Sequence, residues 1–481
     1  MTGTPTSTPQ TLTGILAELA LETPGETLTE TAQDAAKRLV LDSIACAVAA
    51  VDQPGCRETL ELVRDTGGRG EATLLGYGGQ ATLEQAAFLN SLLIHALDYD
   101  DIYPRASLHV CSVLFPCCLA AAQKAGSSGI EILGAIILGA EAACLLGDAC
   151  VERRSGLGFL PTTVEGGFGA VAGASRLLGL SADQTMHAMG LYYAQAAGNR
   201  QALADRVLAK RMQPAFAARN AIWAVRLAQR GITGSPRALE GEFGLFRAYY
   251  RHDPPLPETL QRLPGDPWRI EHVCIKPYTS CGGCHALIDA ALRLAVKHDL
   301  DPSQVDHVDI DWGGTGQNAV VGHPFRLEPD PQVSAQFSAP YCVALALVRR
   351  TQDIACFREE AIRADEEVIA FSRKVHGADC TPARRQPTPD WFPDWYGDAH
   401  GVRVFMKDGA VLQEASTLAD VRLKTNNGWN TVSAKWRSCL AFSVLAPQID
   451  ADKIIQTIKK LDAAPNLDFL ERSFSRFAPG D

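Results

Sequence analysis

The sequence lacks an excess of positive charge. Its 45 Lys and Arg residues are outnumbered by 55 Asp and Glu residues, which gives a formal net charge of -10 at pH 7. A protein whose main partner is a phosphate backbone needs clustered cations to neutralise that backbone. We therefore expect no nucleic-acid partner.

Long uninterrupted apolar runs are also missing. The longest one, 130–146, is broken by Glu, Gly and Cys before it reaches the roughly 20 residues that span a bilayer. The first residues, MTGTPTSTPQTLTG, show no cationic segment followed by an apolar one, so they predict a loose tail and not a secretory signal. These absences predict a soluble, cytoplasmic protein with no membrane partner.

Strand-like alternation is scarce in the first half of the chain. At 481 residues and 46% hydrophobic, the chain exceeds one ordinary domain, and we expect two. Between about residues 28 and 250, apolar residues recur at helical spacing, which predicts an all-α domain. The predicted helices are 28–51, 83–98, 110–125, 129–149, 164–179, 182–195, 214–230 and 236–250.

The pattern changes after about residue 267. VDHVDIDW (305–312) alternates as a strand does, and GVRVFMKDGAVLQEA (401–415) predicts a hairpin that turns at 407–409. Helices are predicted at 284–298 and 332–350, a Pro/Trp-rich loop at 386–398, and helical structure again from about 430. We therefore predict a mainly α protein. Its large all-α helical domain is formed by an N-terminal segment (1–267) and a C-terminal segment (429–481), and a smaller α/β lid domain covers 268–428.

Paired metal-binding motifs are absent as well. The 14 cysteines are scattered through apolar segments and are expected to be buried, reduced thiols. Cys281-Gly-Gly-Cys284-His285 matches the spacing of covalent haem attachment, but no second CxxC or HxxxH pair exists to complete a zinc site. We expect no metal and no haem here, and predict that Cys284 and His285 open a helix.

An acidic cluster follows one predicted helix in NSLLIHALDYDDIYPRASLHV (90–110). A carboxylate and an imidazole brought together at a helix exit suit general acid/base catalysis, because imidazole titrates near neutral pH. Solvated loop residues are the alternative. The polar residues of this cluster are Asp98, Asp100, Asp101, Tyr103, Arg105 and His109.

Three further segments carry groups suited to an anion, and each has a structural alternative. GFLPTTVEGGFGA (158–170) leads into a helix through Thr162 and Thr163, which suits either an anion at the helix start or simple capping. IKPYTSCGGCHALID (275–289) places Lys276 between apolar residues and a proline, where a desolvated ammonium exchanges protons more readily than a surface lysine. The stretch 198–221 is basic, which suits either a carboxylate site or a charged surface, and contains Arg200, Arg206, Lys210 and Arg211.

Together these segments resemble the MmgE/PrpD family, which includes 2-methylcitrate dehydratase, cis-aconitate decarboxylase and iminodisuccinate epimerase. The resemblance covers roughly residues 12–425 and is carried by ordered blocks. These are LDSIACAVAA (41–50), FLNSLLIHALDYDD (88–101), GFLPTTVEGGFGAVAGASRLLGL (158–180), AQAAGNRQ (194–201), AKRMQP (209–214), GITGSPRALEGEFG (231–244), IKPYTSCGGCHALIDA (275–290) and DPQVSAQFSAPYCVALAL (330–347).

The resemblance implies a cofactor-independent homodimer that moves a proton next to a carboxylate of a small di- or tricarboxylic acid. It implies catalytic roles for Asp98, His109, Lys210 and Lys276, with His109 or Lys276 as the base and Asp98 orienting His109. The expected substrate-binding residues are Arg211, Thr162, Tyr103, Gln213 and His285.

The sequence departs from the family pattern at four positions. Relatives usually have His at the positions of Leu160 and Gln213, Gly at Ala215, and Pro at Val110. Loss of two imidazoles changes the charge and proton traffic of a pocket, so the substrate is less certain than the family. The first expectation is a hydro-lyase acting on a 2-methylcitrate-like acid. A cis-aconitate-type decarboxylase, an iminodisuccinate-type epimerase and a non-catalytic binding protein on the same fold are the alternatives.

Overall fold

Helices dominate the structure, a computed structural model that describes residues 11–22, 28–151, 157–313, 318–378, 397–424 and 428–474. The N-terminal tail and most of the Pro/Trp-rich stretch 386–398 lie outside the described residues. In chain order the α-helices are α1 Leu12–Glu22, α2 Glu30–Ala49, α3 Cys56–Thr66, α4 Leu83–His95, α5 Val110–Ala125, α6 Gly129–Cys150, α7 Pro161–Val164, α8 Gly166–Leu177, α9 Ala182–Tyr193, α10 Gln201–Asp205, α11 Ala209–Gln229, α12 Leu245–Ala248, α13 His285–Lys297, α14 Asn318–Val321, α15 Pro331–Gln336, α16 Ala339–Arg349, α17 Glu359–Ala364, α18 Glu366–Ser372, α19 Leu418–Lys424, α20 Trp429–Phe442, α21 Ala451–Lys459 and α22 Asp468–Phe474.

Two small sheets accompany these helices among the described residues. Strands β1 (Ala72–Thr73) and β2 (Gln80–Ala81) form an antiparallel pair. The larger sheet has the order β4-β3-β5-β6, in which β3 pairs parallel with β4 and antiparallel with β5, and β5 pairs antiparallel with β6. Its strands are β3 Val305–Asp311, β4 Val375–Gly377, β5 Ala399–Met406 and β6 Val411–Thr417. The mainly α prediction with a small α/β portion is confirmed.

The first long helix shows why the periodic segments fold as predicted. Thr29 caps α2, because its hydroxyl accepts the backbone N–H of Ala32, one of the donors left unpaired at a helix start. The apolar stripe that begins at Ala32 and Ala36 and continues to Val48 is buried. This stripe packs α2 against α4, α6 and the C-terminal helix α20.

Glycines allow the closest helix contact in the core. A Cβ atom added to Gly169 of α8 would lie 2.3 Å from the carbonyl oxygen of Gly139 in α6, and one added to Gly139 would lie 2.7 Å from the carbonyl oxygen of Gly169. Real Cβ contacts are not this short, so the two backbones meet only because side chains are missing at both positions. The Gly-rich pattern therefore serves close helix packing here.

The described residues form two large hydrophobic cores and one small cluster of Ile102, Cys274, Ala286, Leu418 and Ala419. The larger core draws on residues from Leu12 to Ile275, on Ile354 and on the C-terminal residues from Val432 to Phe474. The smaller one lies between the four-stranded sheet and helices α13 and α16, with residues from Cys284 to Val404. The boundaries at residues 267 and 428 remain a proposal, and these two cores are the observation that supports it.

Helix α6 is long and apolar enough to cross a membrane, although its sequence suggested too many interruptions. In the fold, 89% of its most apolar window is buried by other parts of the protein. Core helices of globular proteins share this property, so α6 on its own is weak support for a membrane span.

Three helix predictions need correction. Only Leu245–Ala248 is helical within 236–250, because the chain folds back at the two glycines and Leu245 N–H donates to the carbonyl of Ala238. The stretch 332–350 forms two helices, because Ser338 caps the second one and Pro340 lacks the N–H that would continue the first. Helix α11 begins at Ala209 and not at 214, so Lys210 and Arg211 lie in its first turn and not before it.

The sheet contains a buried imidazole that makes the fold sensitive to acid. His400 in β5 has no hydrogen-bond partner for either ring nitrogen among the described residues, and burial lowers its pKa to about 4. Its folded-state pKa is below the unfolded value of about 6.5. The unfolded chain therefore binds more protons between pH 6.5 and 4, and stability falls as the pH falls through this window.

We predict that His400→Leu lessens this acid sensitivity. The free energy of unfolding lost between pH 6.5 and 4 should be smaller than in the wild type by up to about 3 kcal/mol, the value of a shift of this size. Urea unfolding followed by circular dichroism at a series of pH values measures both proteins. Parallel pH profiles would contradict the prediction.

Candidate active site

The loop that follows α4 is fixed by side chains donating to its backbone carbonyls. The carbonyl of Leu97 accepts hydrogen bonds from Thr279 Oγ1 at 2.6 Å and from Gln336 Nε2 at 2.8 Å. The next carbonyl, that of Asp98, accepts one from Lys276 Nζ at 2.9 Å. All three donors are buried and come from beyond residue 275. The loop of the helical body is therefore held in place by the other part of the chain.

The C-terminal segment holds the third carbonyl of this loop. Lys435 of α20 donates from Nζ to the carbonyl of Tyr99 at 2.5 Å, and its ammonium lies 3.9 Å from the centre of the Tyr99 ring. The same ammonium lies 2.6 Å from Asp42 Oδ1 in α2, and both charged side chains are buried. Paired burial of this kind is tolerated because each charge compensates the other.

Asp98 is the centre of the site. Its φ angle of 50° lies in the left-handed region, which is unusual for a residue with a side chain and is a form of local strain. Lys276 Nζ lies 3.0 Å from Asp98 Oδ2, and Lys210 Nζ contacts Asp98 Oδ1. Burial opposes ionisation of this carboxyl, but the two ammonium groups outweigh it and hold its pKa well below the usual range. Asp98 is thus a carboxylate shared by two lysines.

Two histidines share a second carboxylate beside it. His95 Nδ1 and His109 Nδ1 lie 2.9 Å and 3.1 Å from the same oxygen, Oδ2 of Asp100. His95 Nε2 lies 2.9 Å from Lys210 Nζ, which joins this group to the lysine pair. The sequence predicted that Asp98 orients His109, and this is wrong, because Asp100 is the carboxylate that contacts the His109 ring.

Burial and neighbouring charge act in opposite directions on the two imidazoles. Burial lowers the pKa of His95 to about 4, although Asp100 partly compensates. Burial also lowers the pKa of His109, against the raising effect of Asp100. Both rings are therefore neutral at pH 7 before an anion binds.

A cavity of about 330 Å³ opens beside this network. Its wall includes His109 and Lys210 from the helical body and Arg422 from α19, after the four-stranded sheet. Arg200 and several apolar side chains, Leu160 among them, complete the wall. A cavity of this size with a few convergent polar groups suits a small ligand, and the cations make it suitable for an anion.

The structure brings the four predicted catalytic residues together, but not all on one wall. The cavity is lined by Asp98, His109 and Lys210. The predicted substrate-binding residue Thr162 lines it too, and its Oγ1 accepts a hydrogen bond from the backbone N–H of His109. Lys276 is absent from the wall that the described residues form, and it contacts Asp98 Oδ2, whereas Lys210 contacts Oδ1. Its ammonium has three acceptors, Asp98 O, Asp98 Oδ2 and Ser280 O, so all its hydrogens are used.

The other four predicted substrate-binding residues are absent from the cavity wall among the described residues. Tyr103 donates to Asp148, and Arg211 donates to the Pro54 carbonyl and to Gln332 Oε1. These two side chains connect separate elements of the fold. The local sequence does not predict these contacts, because the partners are at least 45 residues away along the chain.

Gln213 and His285 likewise have structural partners. The Gln213 side chain accepts the N–H of Asn199 at 2.6 Å and donates to its carbonyl at 3.0 Å. His285 Nε2 lies 3.0 Å from the carbonyl of Ser280, which also accepts from Lys276. His285 therefore supports the Lys276 loop. Of the two positions where relatives usually have His, only Leu160 faces the cavity.

Sequence analysis missed four residues of the site: His95, Asp100, Arg200 and Arg422. Asp100 was noted in the acidic cluster, and a search for a second imidazole one helical turn before Asp98 would have found His95. Arg200 was seen only as part of a basic stretch. Arg422 lies 146 positions beyond Lys276, in a helix without a distinctive pattern, and only folding brings it to the cavity.

Two groups of residues could be taken for metal sites: the motif from Cys281 to His285, and the pair His95 and His109. Cys284 and His285 are buried and His285 opens α13, as predicted, so the motif serves as a helix start. His95, Asp100 and His109 offer three ligand atoms within 4.8 Å of one another, a spacing that a metal ion would also accept. A hydrogen bond between His95 and Asp100 and an electrostatic contact between His109 and the same carboxylate account for these short distances, and we interpret the group in this way.

Comparison with known proteins agrees with the earlier resemblance. The family model described as MmgE/PrpD N-terminal domain matches residues 14–257, and the one described as MmgE/PrpD C-terminal domain matches residues 278–462. The chain is 32% identical to the cis-aconitate decarboxylase-like protein oryM of Aspergillus oryzae, over 54% of this chain and 56% of that protein. It therefore aligns with little more than half of that relative's length.

Two further relatives align over more of their length. The chain is 29% identical to the cis-aconitate decarboxylase of Aspergillus terreus, over 71% of this chain and 72% of that protein. It is 25% identical to the cis-aconitate decarboxylase of Mus musculus, over 69% of this chain and 66% of that protein.

The buried pair of Lys435 and Asp42 gives a test of how the C-terminal segment supports the site. Lys435→Met leaves the Asp42 carboxylate buried without its cation, and we expect a loss of about 3–5 kcal/mol in the free energy of unfolding. Adding Asp42→Asn should restore most of this loss, because the uncompensated charge is then gone. Urea unfolding of the two single variants and the double variant measures the coupling.

The control is Lys453→Met, which removes an exposed lysine from α21 and should cost less than about 0.5 kcal/mol. If the double variant is as unstable as Lys435→Met alone, charge compensation is not what the pair provides.

Proposed function

The chain belongs to the MmgE/PrpD family, and we propose that it is a lyase that decarboxylates an unsaturated tricarboxylic acid of the cis-aconitate kind. The observation that supports this most directly is the cavity wall, where Lys210, Arg422 and Arg200 face the same space as the His109 imidazole. The names of the relatives favour decarboxylation over the hydro-lyase reaction that the sequence suggested first.

Decarboxylation of such an acid requires a place for negative charge. The C–C bond to one carboxylate breaks and carbon dioxide leaves, and the electron pair of that bond forms a new double bond to the neighbouring carbon. The electron pair of the old double bond moves to its far carbon, so charge develops there, next to a remaining carboxylate. A proton then adds to that carbon. The protein must hold the carboxylates that stay, stabilise the developing charge and supply one proton.

Lys210 is suited to the developing charge. Its ammonium lies on the cavity wall, fixed by Asp98 and by His95 Nε2. A preorganised cation in a site that excludes water stabilises an enolate-like anion more than a mobile one does. Arg422 and Arg200 then hold carboxylates that are not lost, since a guanidinium pairs with a carboxylate in a planar fork.

His109 is suited to supply the proton. Its ring faces the cavity and is held by Asp100, so a protonated imidazole has a stabilising partner. Burial lowers its pKa in the free protein, but a bound polyanion raises it again, so binding of the substrate is accompanied by proton uptake. The acid is therefore formed when the substrate is in place.

The geometry gives less support to an epimerase. That reaction needs two proton-transfer groups on opposite faces of one carbon, and the expected pair was His109 and Lys276. Lys276 lies behind Asp98 with three acceptors around its ammonium, so we assign it the task of holding Asp98. A hydro-lyase acting on 2-methylcitrate stays the alternative, because it uses the same cations with one acid and one base.

We expect the purified protein to convert cis-aconitate in deuterated water, releasing carbon dioxide and placing one deuterium on a carbon atom of the product. NMR measures both the product and its deuterium content. His109→Asn should lower kcat about 10²–10⁴-fold, the range typical of a lost general acid. Citrate, 2-methylcitrate and iminodisuccinate are tested in parallel. Loss of water from 2-methylcitrate with no decarboxylation of any acid would favour the hydro-lyase, and no exchange with any of them would favour a binding protein.

Arg422 should affect binding more than turnover. Arg422 is only 2% exposed, and a Cβ atom added to Gly282, another residue of the cavity wall, would lie 3.2 Å from its Nη2. We predict that Arg422→Gln raises KM about 10–100-fold with a smaller change in kcat, because a charge-assisted hydrogen bond to substrate is lost.

Arg437→Gln is the matched control, since Arg437 pairs with Asp452 on the exposed surface and its loss should leave KM unchanged. Equal KM values for Arg422→Gln and the wild type would remove Arg422 from the binding site.

A further inference from the structure

In the proposed chemistry Asp100 serves only as a partner for the protonated His109 ring, although it is fully buried and contacts a second imidazole as well. It is absent from the cavity wall among the described residues, and a single oxygen, Oδ2, contacts both imidazoles of the site. A buried carboxylate that never meets substrate must act through its neighbours. Its contacts with the two imidazoles can fix their orientation and the nitrogen that carries the proton.

Asp100 determines which nitrogen of each ring carries a proton. His95 Nδ1 is hydrogen-bonded to Asp100 Oδ2 at 2.9 Å and carries the hydrogen, because a carboxylate only accepts. His109 Nδ1 lies 3.1 Å from the same oxygen without the alignment of a hydrogen bond, and the negative charge there favours a hydrogen on this nitrogen over a lone pair. Neutral His95 is then left with an acceptor at Nε2, which is where the Lys210 ammonium donates at 2.9 Å. Neutral His109 is left with its lone pair at Nε2, on the side of the ring away from Asp100. The lysine contact at His95 thus agrees independently with the Nδ1–H assignment.

We infer that Asp100 is a positioning residue that fixes His109 in the Nδ1–H tautomer, presents its Nε2 to the substrate, and couples His109 to Lys210 through His95. This inference rests on the proposed function, in which Nε2 carries the transferred proton. The chain of contacts runs Lys210, His95, Asp100, His109, and each link is a hydrogen-bond distance.

The coupling follows from the sharing of one oxygen. Protonation of His109 at Nε2 strengthens its attraction to Asp100 Oδ2, 3.1 Å from Nδ1, because the imidazolium carries a positive charge and is a better donor than the neutral ring. Asp100 Oδ2 then accepts less strongly from His95, which in turn becomes a weaker acceptor for Lys210. Asp98 still fixes Lys210, but less of the charge of its ammonium is then shared with His95, so more of it acts on the substrate when His109 is ready to act as the acid.

The charges that face His109 come from several elements. Asp98 and Asp100 lie on its own loop, His95 lies at the end of α4 with its ring 4.7 Å away, and Lys276 lies on the segment before α13. Asp98 is neutralised by its two lysines. Asp100 is therefore the acid whose removal should change His109 most.

Asp100→Asn is the sharpest test, because it keeps the shape and removes the charge. Its amide NH₂ donates to an imidazole nitrogen and so favours the opposite tautomer, in which His109 Nε2 carries the hydrogen and Nδ1 accepts. We expect kcat with cis-aconitate to fall at least 100-fold while KM changes only a few-fold. In protein labelled with [¹⁵N]histidine, the His109 signals, assigned by their loss in His109→Asn, should change to the Nε2–H pattern.

The pH profile gives a second readout that a purely structural role would not move. Since His109 must be protonated to act as the acid, kcat falls as the pH rises past its pKa in the complex. Without the Asp100 charge, the imidazolium is less stable, so this limb should move to lower pH. The control is Asp101→Asn, at an equally buried neighbour that accepts the N–H groups of Val110 and Cys111 and should leave the tautomer and the limb unchanged.

His95 provides the test of coupling and the second variant in case Asp100→Asn fails to fold. His95→Gln keeps one group that can accept from Lys210 and one that can donate to Asp100, whereas His95→Leu removes both hydrogen bonds. The activity of His95→Gln should therefore be at least tenfold higher than that of His95→Leu. Equal activity of these two variants would overturn the coupling to Lys210.

An unchanged His109 tautomer and an unmoved pH limb in Asp100→Asn would overturn the positioning role, as would a metal ion bound stoichiometrically at the two imidazoles by elemental analysis. The NMR readout needs no substrate. A tautomer change without turnover of any tricarboxylate would therefore keep the positioning role and reject the proposed function, while turnover with an unchanged tautomer would do the reverse.

Discussion

The site depends on one buried carboxylate, Asp98, and the two ammonium groups that share it. Burying a single charge in a protein costs several kcal/mol unless an opposite charge accompanies it. Lys210 comes from α11 of the helical body, and Lys276 comes from the segment that leads to the lid helix α13. The helical body supplies Asp98 and one of its two cations, and the segment before α13 supplies the second. The complete charge arrangement therefore needs residues from both parts of the chain.

The same requirement explains why the loop can hold an unfavourable backbone. A left-handed residue with a side chain persists only where its surroundings over-determine it. Around Asp98, three consecutive carbonyls each receive a buried side-chain donor, and one of these donors belongs to the C-terminal helix α20. The returning C-terminal segment therefore supports the chemistry without touching the cavity.

Sequence periodicity predicted what depends on local spacing. The apolar stripe of α2 and the alternation of β3 gave the correct elements, while 236–250 failed because its glycines let the chain fold back on itself. In the site, Asp98, His109 and Lys210 were found through the family resemblance. Gln213 was expected to bind substrate but pairs with Asn199, and Arg422 was not named although it lines the cavity. Contacts with other parts of the fold decide whether such a side chain supports the structure or faces the cavity.

The loss of the usual histidine at Leu160 changes what the cavity can do. An imidazole there would offer a second proton-transfer group on the cavity wall besides His109, whereas leucine offers only an apolar surface. Lys276 is engaged by three acceptors and Gln213 is turned toward Asn199. The proposed function therefore assigns proton transfer to His109 and charge stabilisation to Lys210, which His95 and Asp98 hold. One acid and one fixed cation are enough for decarboxylation, which needs a single proton, but they suit poorly a reaction that needs proton transfer on both faces of one carbon.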